Sequence, residues 1–336
     1  MRVAVLGSSR PLGREVAREL ADHPFVDDVA LPDPSSVEKA LTESDVAIGC
    51  FGWDLVADEA ACLTAVRAGV AYLSSSMSSE APEVFKGCHA EAERAGVPVV
   101  VGISWTPGLT GLMASAGVRE VHPVHEIRVS WLGSGSGLLG DEAMVLAMHA
   151  FSGPSVVFKQ GVFGRELPGG ETEDVFFPEP VGWSPVHLCN SAEASSIPLS
   201  LPTIKRVITK GALAERGLDV LVRTTARLSA GASGAGSRRA AKLVQPVIPN
   251  VGRLRRNKMS WSALRVDVTG EQKTVSYAAV DQLSNFLIAP LVVAAEMVGR
   301  GLVKGSGVMG AESAFDHGVF LGLLARRGVK IARLVR

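Results

Sequence analysis

The sequence predicts an α/β protein, a doubly wound parallel sheet followed by an α+β domain with a mainly antiparallel sheet. Three observations carry this prediction. The chain opens with a strand, a glycine turn and a helix in VAVLGSSRPLGREVA, residues 3–17. Short apolar runs then alternate with helical stretches as far as residue 120. Beyond WTPGLTGLMASAG (105–117) the style changes to alternating runs punctuated by glycine and proline. Strand–helix alternation demands parallel strands with helices on both faces, whereas alternation of period two suits half-buried antiparallel strands.

Taken in order, strands are predicted at Arg2–Leu6, Asp28–Leu31, Asp45–Gly49, Ala71–Leu73 and Pro98–Val101. Helices are predicted at Gly13–Ala21, Ser35–Leu41, Leu55–Ala68 and Glu83–Ala95. The first, third and fifth strands are continuous apolar runs, as strands buried on both faces should be. AGV recurs at 68–70 and 95–97, each time with a glycine closing a helix and a strand beginning. The opening is that of a Rossmann unit. A full Rossmann half fits two strands and two helices between the first helix and the next long strand. Here about thirty residues separate Gly13 from Asp45, room for one strand and two short helices. One βα unit is therefore missing or reduced, in the region that ordinarily recognises adenosine. Further on, alternating runs cover Glu126–Trp131 and Ser155–Phe163. A flexible turn (133–142) leads into a helix over Glu142–Phe151, and Leu264–Thr269 with Lys273–Ala278 form a hairpin about Gly270. Helices at Ala289–Gly299 and Ser313–Arg326 close the chain. The domain boundaries read 1–120, 121–310, and a C-terminal helix, 311–336, returning toward the first domain.

Composition narrows the function classes. An apolar fraction of 47% with 20% charged residues supports a sizeable core. The formal net charge of zero gives no argument for nucleic-acid binding. Cys50, Cys62, Cys88 and Cys189 lie far apart without a CxxC pair, so reduced thiols in a cytoplasmic setting are expected and a metal site is not. The opening apolar run is expected to be a short strand, since it lacks the n-region and h-region of a secretory leader. Phe286–Val298 is strongly apolar but short for a membrane span and interrupted by Glu296, which suits a buried or interface helix. No GxSxG elbow is present.

The candidate cofactor residues sit in the opening turn. Gly7 and Gly13 occupy the outer glycine positions, where a helix N-terminus favours an anion; tight turning and helix packing explain them equally well. The middle position holds Arg10, followed by Pro11. Arg10 is either a phosphate clamp, which favours NADP, or a plug. Ser8, Ser9 and Leu12 supply backbone, and the serines hydroxyls, to the same loop. Asp33 stands where NAD-type sites place a ribose-binding acid, and LPDPSS equally suits an Asx or N-cap turn. Phe51, Gly52 and Trp53 follow the third strand. Ser74, Ser75 and Ser76 end the fourth, and Trp105, Thr106, Pro107 and Gly108 follow the fifth. Carboxyl ends of parallel strands line the ligand crevice. Phe51 and Gly52 are assigned to the cofactor; Trp53, Ser75, Trp105, Thr106 and Pro107 to a substrate cleft. Ser74 and His149 are the catalytic candidates, His149 as proton donor because imidazole titrates near neutrality. A buried structural histidine is the rival reading for His149, as for His187 and His317.

Several segments in order resemble the saccharopine dehydrogenase-like family of NAD(P)-dependent oxidoreductases. They are the opening turn, SDVAIGCFG (44–52), ACLTAVRAGVAYLSSS (61–76), AGVPVVVGISWTPGLTGLMA (95–114), FFPEPVGW (176–183), PTIKRVITKGAL (202–213) and SGVMGAESAFD (306–316). The resemblance implies a Rossmann domain, a second domain whose sheet often mediates dimerisation, NAD or NADP as cofactor, and redox chemistry at a C–N bond. Three departures stand out: Arg10, the shortened second βα unit, and Ser74 where the family commonly has an aspartate. The expected activity is hydride transfer to an imine, carbonyl or activated alkene of a small or biosynthetic substrate held between the domains. The alternative is a repurposed non-redox enzyme, a cyclase, lyase or isomerase using the former cofactor cleft. A third reading is a non-catalytic binding subunit. Residues 204–265 carry 14 Lys and Arg against two acids, and include the low-complexity GASGAGSRR (231–239). This stretch is either a solvated face or a dock for an anionic partner such as an acyl carrier.

Overall fold

The structure, a computed structural model, describes residues 1–134, 147–152, 154–201, 203–228 and 261–335. The chain divides into two compact units, Met1–Ser115 with Phe286–Gly328, and Ala116–Asn285 with Val329–Arg336. The sequence reading had set its boundaries at 120 and 310.

In the first unit β1 (Arg2–Leu6), β2 (Asp28–Ala30), β3 (Val46–Gly49), β4 (Ala71–Ser74) and β5 (Pro98–Val101) are joined through α1 (Pro11–Ala21), α2 (Val37–Thr42), α3 (Leu55–Arg67), α4 (Ala81–Phe85) and α5 (His89–Ala95). α6 (Leu109–Val118) follows β5. Every pairing is parallel. Val3, Ala4, Val46, Ala47 and Ile48 have no exposed surface, so this sheet is covered on both faces. α1 starts at Pro11, whose missing N–H is no loss in a first turn. It buries Leu12, Val16, Ala17 and Leu20 along one stripe. Gly69 and Gly96, the glycines of the two AGV words, have φ of +74° and +70°. That left-handed conformation closes a helix at no steric cost to glycine.

The strand order is β14-β5-β4-β3-β1-β2, where β14 is Gly307–Gly310. A complete Rossmann sheet runs 3-2-1-4-5-6. This one ends at β2, with a single strand and the single helix α2 between α1 and β3. The outer βα unit is absent, as the spacing predicted. The edge strand β14 was not predicted: GVMG carries no strand periodicity, and its register comes from pairing with β5, about two hundred residues earlier.

The second unit holds a nine-stranded sheet among the described residues. Its strands are β6 (Val124–Gly133), β7 (Ser155–Lys159), β8 (Val162–Glu166), β9 (Glu173–Phe177), β10 (Gly182–Leu188), β11 (Arg206–Leu213), β12 (Ser262–Gly270), β13 (Thr274–Asp281) and β15 (Ile331–Val335). β6 and β11 run parallel; the other pairings are antiparallel. Among the described residues its helices include α7 (Glu193–Ser200) and α8 (Arg216–Leu228). The predicted hairpin is β12–β13. The run predicted over Ser155–Phe163 is two strands turning at Gln160–Gly161, both at positive φ.

The apolar run near the C-terminus is α9 (Leu283–Gly299), which starts earlier than predicted. Glu296 is only 6% exposed because it pairs with buried His23 at 3.2 Å and with Arg300. Arg300 in turn lies 3.8 Å over the Phe25 ring. No helix among the described residues is long and apolar enough to cross a membrane. The predicted final helix is α10 (Ala311–Ala314) and α11 (His317–Arg326). Asp316 interrupts it by capping the Val319 N–H at 3.1 Å. Residues 331–335 are a strand on β13, so a C-terminal helix over 311–336 is corrected there.

Gly211 of β11 lies opposite Trp131 of β6. A Cβ at Gly211 would stand 2.0 Å from the indole, which packs against Phe151 at 6.1 Å. Gly211→Ala is therefore expected to displace Trp131 and destabilise the protein by about 1–3 kcal/mol, read by denaturant unfolding. In Trp131→Ala the same change should cost much less, since the clash is gone. Equal effects in the two backgrounds contradict this packing.

Candidate functional site

The carboxyl ends of the parallel strands bring four of the predicted segments together. Gly7 leaves β1 at φ +77°, and a Cβ there would lie 2.6 Å from the Cys50 carbonyl oxygen. The β1 turn thus sits directly on the loop after β3. Gly13 is needed for packing inside the turn, where a Cβ would meet the Gly7 carbonyl oxygen at 2.6 Å. Arg10 is the N-cap of α1, in extended backbone (φ −84°, ψ 154°) that any residue adopts, and makes no side-chain capping bond. The first turn of α1 carries no acid. By contrast Asp54 caps α3 through Ala57 N–H at 3.2 Å. The start of α1 therefore keeps the positive character that suits an anion.

Arg10 itself points to neither sequence alternative alone. Its guanidinium lies 3.6 Å from Asp54, with both side chains partly exposed. A pair of this kind contributes at most about 1 kcal/mol, so it is easily exchanged for another anion. Ser9 is exposed, and its carbonyl accepts from the Arg14 guanidinium at 2.5 Å. Ser8 is half-buried and the Leu12 side chain belongs to the core.

Asp33 lies three residues past β2 and forms an Asx turn. Its Oδ1 accepts from Ser35 N, Ser35 Oγ, Ser36 N and Ser36 Oγ at 2.7–3.0 Å. These bonds, the Ser35 hydroxyl foremost, hold the carboxyl below its usual range. Phe51 packs onto the core of the first unit, Gly52 turns at φ +62°, and Trp53 is half-buried. Trp105, Thr106 and Pro107 are all buried, with Trp105 stacked on Phe286 at 6.3 Å. That loop is held tight by Gly102 and Gly108, both at positive φ.

A residue the sequence reading missed lies beneath these loops. Asp58 of α3 is 1% exposed. It accepts from the Tyr72 hydroxyl at 2.5 Å and from Ser74 Oγ at 2.6 Å. Gly49 makes room for this, since a Cβ there would stand 2.1 Å from the Tyr72 hydroxyl and 2.4 Å from Asp58 Oδ1. Burial pushes the Asp58 carboxyl up to about 6, against the pull of the Ser74 and Tyr72 hydrogen bonds. Ser74, Ser75 and Ser76 are all buried. The Ser75 hydroxyl has no hydrogen-bond partner among the described residues, a state that costs about 1–3 kcal/mol unless a partner is supplied. The signal for Asp58 was its spacing: with Ala61, Cys62 and Ala65 it falls on the buried face of α3, where an acid needs donors.

The histidine candidates belong elsewhere. His149 is half-buried in a helical segment, 147–151, of the second unit; Asp141 and Met144, read beside it, fall outside the described residues. His187 lies between Thr172 Oγ1 (2.9 Å) and Asp219 (3.5 Å). It lines a cavity of about 350 Å³ with Arg216, Asp219 and Arg223. Burial works against Asp219, but hydrogen bonds from His187, the Leu213 N–H and Arg223 hold its carboxyl below the usual range. His317 opens α11. No cluster of metal-ligating side chains occurs among the described residues.

The basic stretch 204–265 lies mostly outside the described residues, as does GASGAGSRR. Four of its described cations are paired: Lys210 with Glu173, Arg206 with Glu171, Arg223 with Asp219 and Arg265 with Asp267. Those four are balanced by acids within the fold, and Lys210 and Arg265 are buried rather than solvated.

No protein-family model matches the chain, and no curated protein does. Solved structures do. The apo saccharopine dehydrogenase (L-Glu forming) of Saccharomyces cerevisiae aligns over 100% of this chain and 99% of its own, with 15% identity and a TM-score of 0.67. An amine dehydrogenase from Mycobacterium smegmatis aligns over 94% and 96%, with 10% identity and a TM-score of 0.45. The first of these shows a shared fold over the full length of both chains.

Asp58 yields a prediction with a definite sign. Its folded value, about 6, lies above the unfolded value of 3.8. The stability this group contributes is full below about pH 4 and is lost as pH rises through 6, a swing of roughly 3 kcal/mol. Asp58→Asn, which carries no titrating charge, removes that swing. Melting temperatures from pH 4 to 8 should show wild type falling relative to the variant between pH 4 and 7. Parallel curves contradict the assignment.

Proposed function

We propose that this chain, which has the saccharopine dehydrogenase fold, is an NAD(P)-dependent oxidoreductase that reduces or oxidises a small molecule. The observation that carries the reading is the β1–α1 turn: two glycines packed against backbone and a helix N-terminus without an acid or a side-chain cap. Together they leave main-chain N–H groups for a pyrophosphate. The Ser75 hydroxyl just past β4, without a hydrogen-bond partner among the described residues, supports it independently. In this proposal Gly7, Ser8, Ser9, Leu12 and Gly13 seat the pyrophosphate, and Arg10 leaves Asp54 for a phosphate oxygen. Asp33 keeps one oxygen in its Asx turn and offers the other to the ribose. Phe51 and Gly52 border the nicotinamide.

When bound, a nicotinamide dinucleotide supplies the hydride-transfer chemistry; the protein supplies orientation and a proton. Ser75 offers a hydroxyl to orient the ligand. Trp53, Trp105, Thr106 and Pro107 form an apolar, rigid wall that excludes water. An imine, carbonyl or activated alkene is the matching substrate class, and a biosynthetic role and a homodimer are part of the same reading. A second reading is favoured by two observations, Arg10 in the middle glycine position and the absent outer βα unit. It is a redox-neutral cyclase, lyase or isomerase working in the same crevice.

Calorimetric titration with NADH and NADPH separates the two. The first reading expects binding to at least one of them. It expects Arg10→Ala to weaken that binding by about tenfold to a hundredfold, the worth of a charge-assisted contact of 1.5–3 kcal/mol. Asp54→Asn, which removes this ion pair, should leave affinity equal or better. No binding of either cofactor at millimolar concentration contradicts the redox reading and leaves the redox-neutral one.

A further inference from the structure

We infer that Asp58 is a positioning residue: its ionised carboxylate fixes Ser74 and, through it, the whole segment 74–80 that follows β4. Only the consequence for cofactor affinity rests on the function proposed above. The geometry is a ladder. Ser74 Oγ donates to Asp58 Oδ2 at 2.6 Å and accepts from Ser76 N at 3.1 Å. Ser76 Oγ accepts from Ser78 N at 3.3 Å, and Ser78 Oγ from Glu80 N at 3.2 Å. Each of the three serines holds the N–H two residues on, a local bond available to short hydroxyl side chains. All three are buried. The last rung reaches Glu80, the N-cap of α4. The serine repeat in SSSMSSE is thus the register of a hydrogen-bonded ladder rather than a polar loop.

The ladder is tied to its neighbours by main-chain bonds. Ser75 N donates to the Gly49 carbonyl at 3.0 Å and Ile103 N to the Ser74 carbonyl at 2.8 Å. A shift at Ser74 therefore moves the loops after β3 and β5 as well. The charge state of Asp58 matters because an ionised carboxylate only accepts. Both the Tyr72 and the Ser74 protons then point at it, and the Ser74 lone pairs are left for Ser76 N. A protonated carboxyl brings its own hydrogen; when Ser74 Oγ accepts it, one of its two lone pairs is spent on Asp58, its charge-assisted bond to the carboxylate is lost, and the bond from Ser76 N must realign. The groups facing Asp58 are Tyr72 and Ser74 from β4, Arg10 from the glycine turn, Asp54 before α3, and Cys62 on α3 itself. Arg10 favours the charged form and Asp54 opposes it. With burial dominant, the change falls between pH 5 and 7.

Amide hydrogen exchange followed by mass spectrometry tests this on the full chain. After correction for intrinsic exchange, the peptide over 74–80 should exchange several-fold faster at pH 5 than at pH 7. A β1 peptide, which shares no bond with the ladder, should not. Asp58→Asn should exchange at the fast rate at both pH values, and Ser74→Ala likewise. Equal protection of wild-type 74–80 at pH 5 and 7, relative to β1, overturns the inference, and that comparison needs no variant. NADP⁺ titration adds the functional arm. Affinity should fall about tenfold from pH 7 to pH 5 in wild type beyond any fall in Asp58→Asn, because the competent fraction falls by that factor. The cofactor's own titration is common to both proteins. The same fall in both overturns the functional coupling. An exchange response without NADP⁺ or NAD⁺ binding upholds the ladder and counts against the function proposed above.

Discussion

A carboxylate buried at the end of a parallel sheet must be given donors, and the way Asp58 is given them shapes the edge of the first unit. Tyr72 and Ser74 supply the protons. Gly49 exists to let the Tyr72 hydroxyl through. The serines that follow take their places from Ser74. Removing either partner alone leaves a buried charge under-satisfied, so these positions constrain one another.

Around that fixed point the crevice is built from loops that touch. Gly7 rests on the Cys50 carbonyl, Ser75 bonds to Gly49, and Ile103 bonds to Ser74. The turns after β1, β3, β4 and β5 are consequently one mechanical body, suited to holding a ligand in a single orientation. Arg10 is the exception. It reaches from the first turn to Asp54 by a partly exposed ion pair, a tie that an incoming anion can replace.

Much of this fold was legible in the sequence because its signals are local. The opening strand, turn and helix, the two AGV closures and the short interval from Gly13 to Asp45 each follow from periodicity, glycine conformation or simple length. The trimmed sheet was read from spacing alone. What escaped depends on distant partners. β14 is strand only because β5 presents an edge to it, and residues 331–335 pair with β13 for the same reason. Glu296 looked like an interruption of an apolar helix until its partner His23 was in view. Asp58 was passed over because it has no motif; its meaning lies in facing Ser74, sixteen residues on. The sequence assigns Ser74 to catalysis and Ser75 to a substrate cleft, and nothing local in it shows that both are buried, with Ser74 turned to Asp58.

The central claim is that the carboxyl edge of the first unit's sheet receives a dinucleotide at the start of α1. A crystal structure of the protein grown with NADPH tests it most directly. The account predicts the pyrophosphate over Gly7–Gly13, with Arg10 turned from Asp54 to a phosphate oxygen and the Ser75 hydroxyl engaged. An undisturbed Arg10–Asp54 pair, with the cofactor absent or bound on other residues, would contradict it.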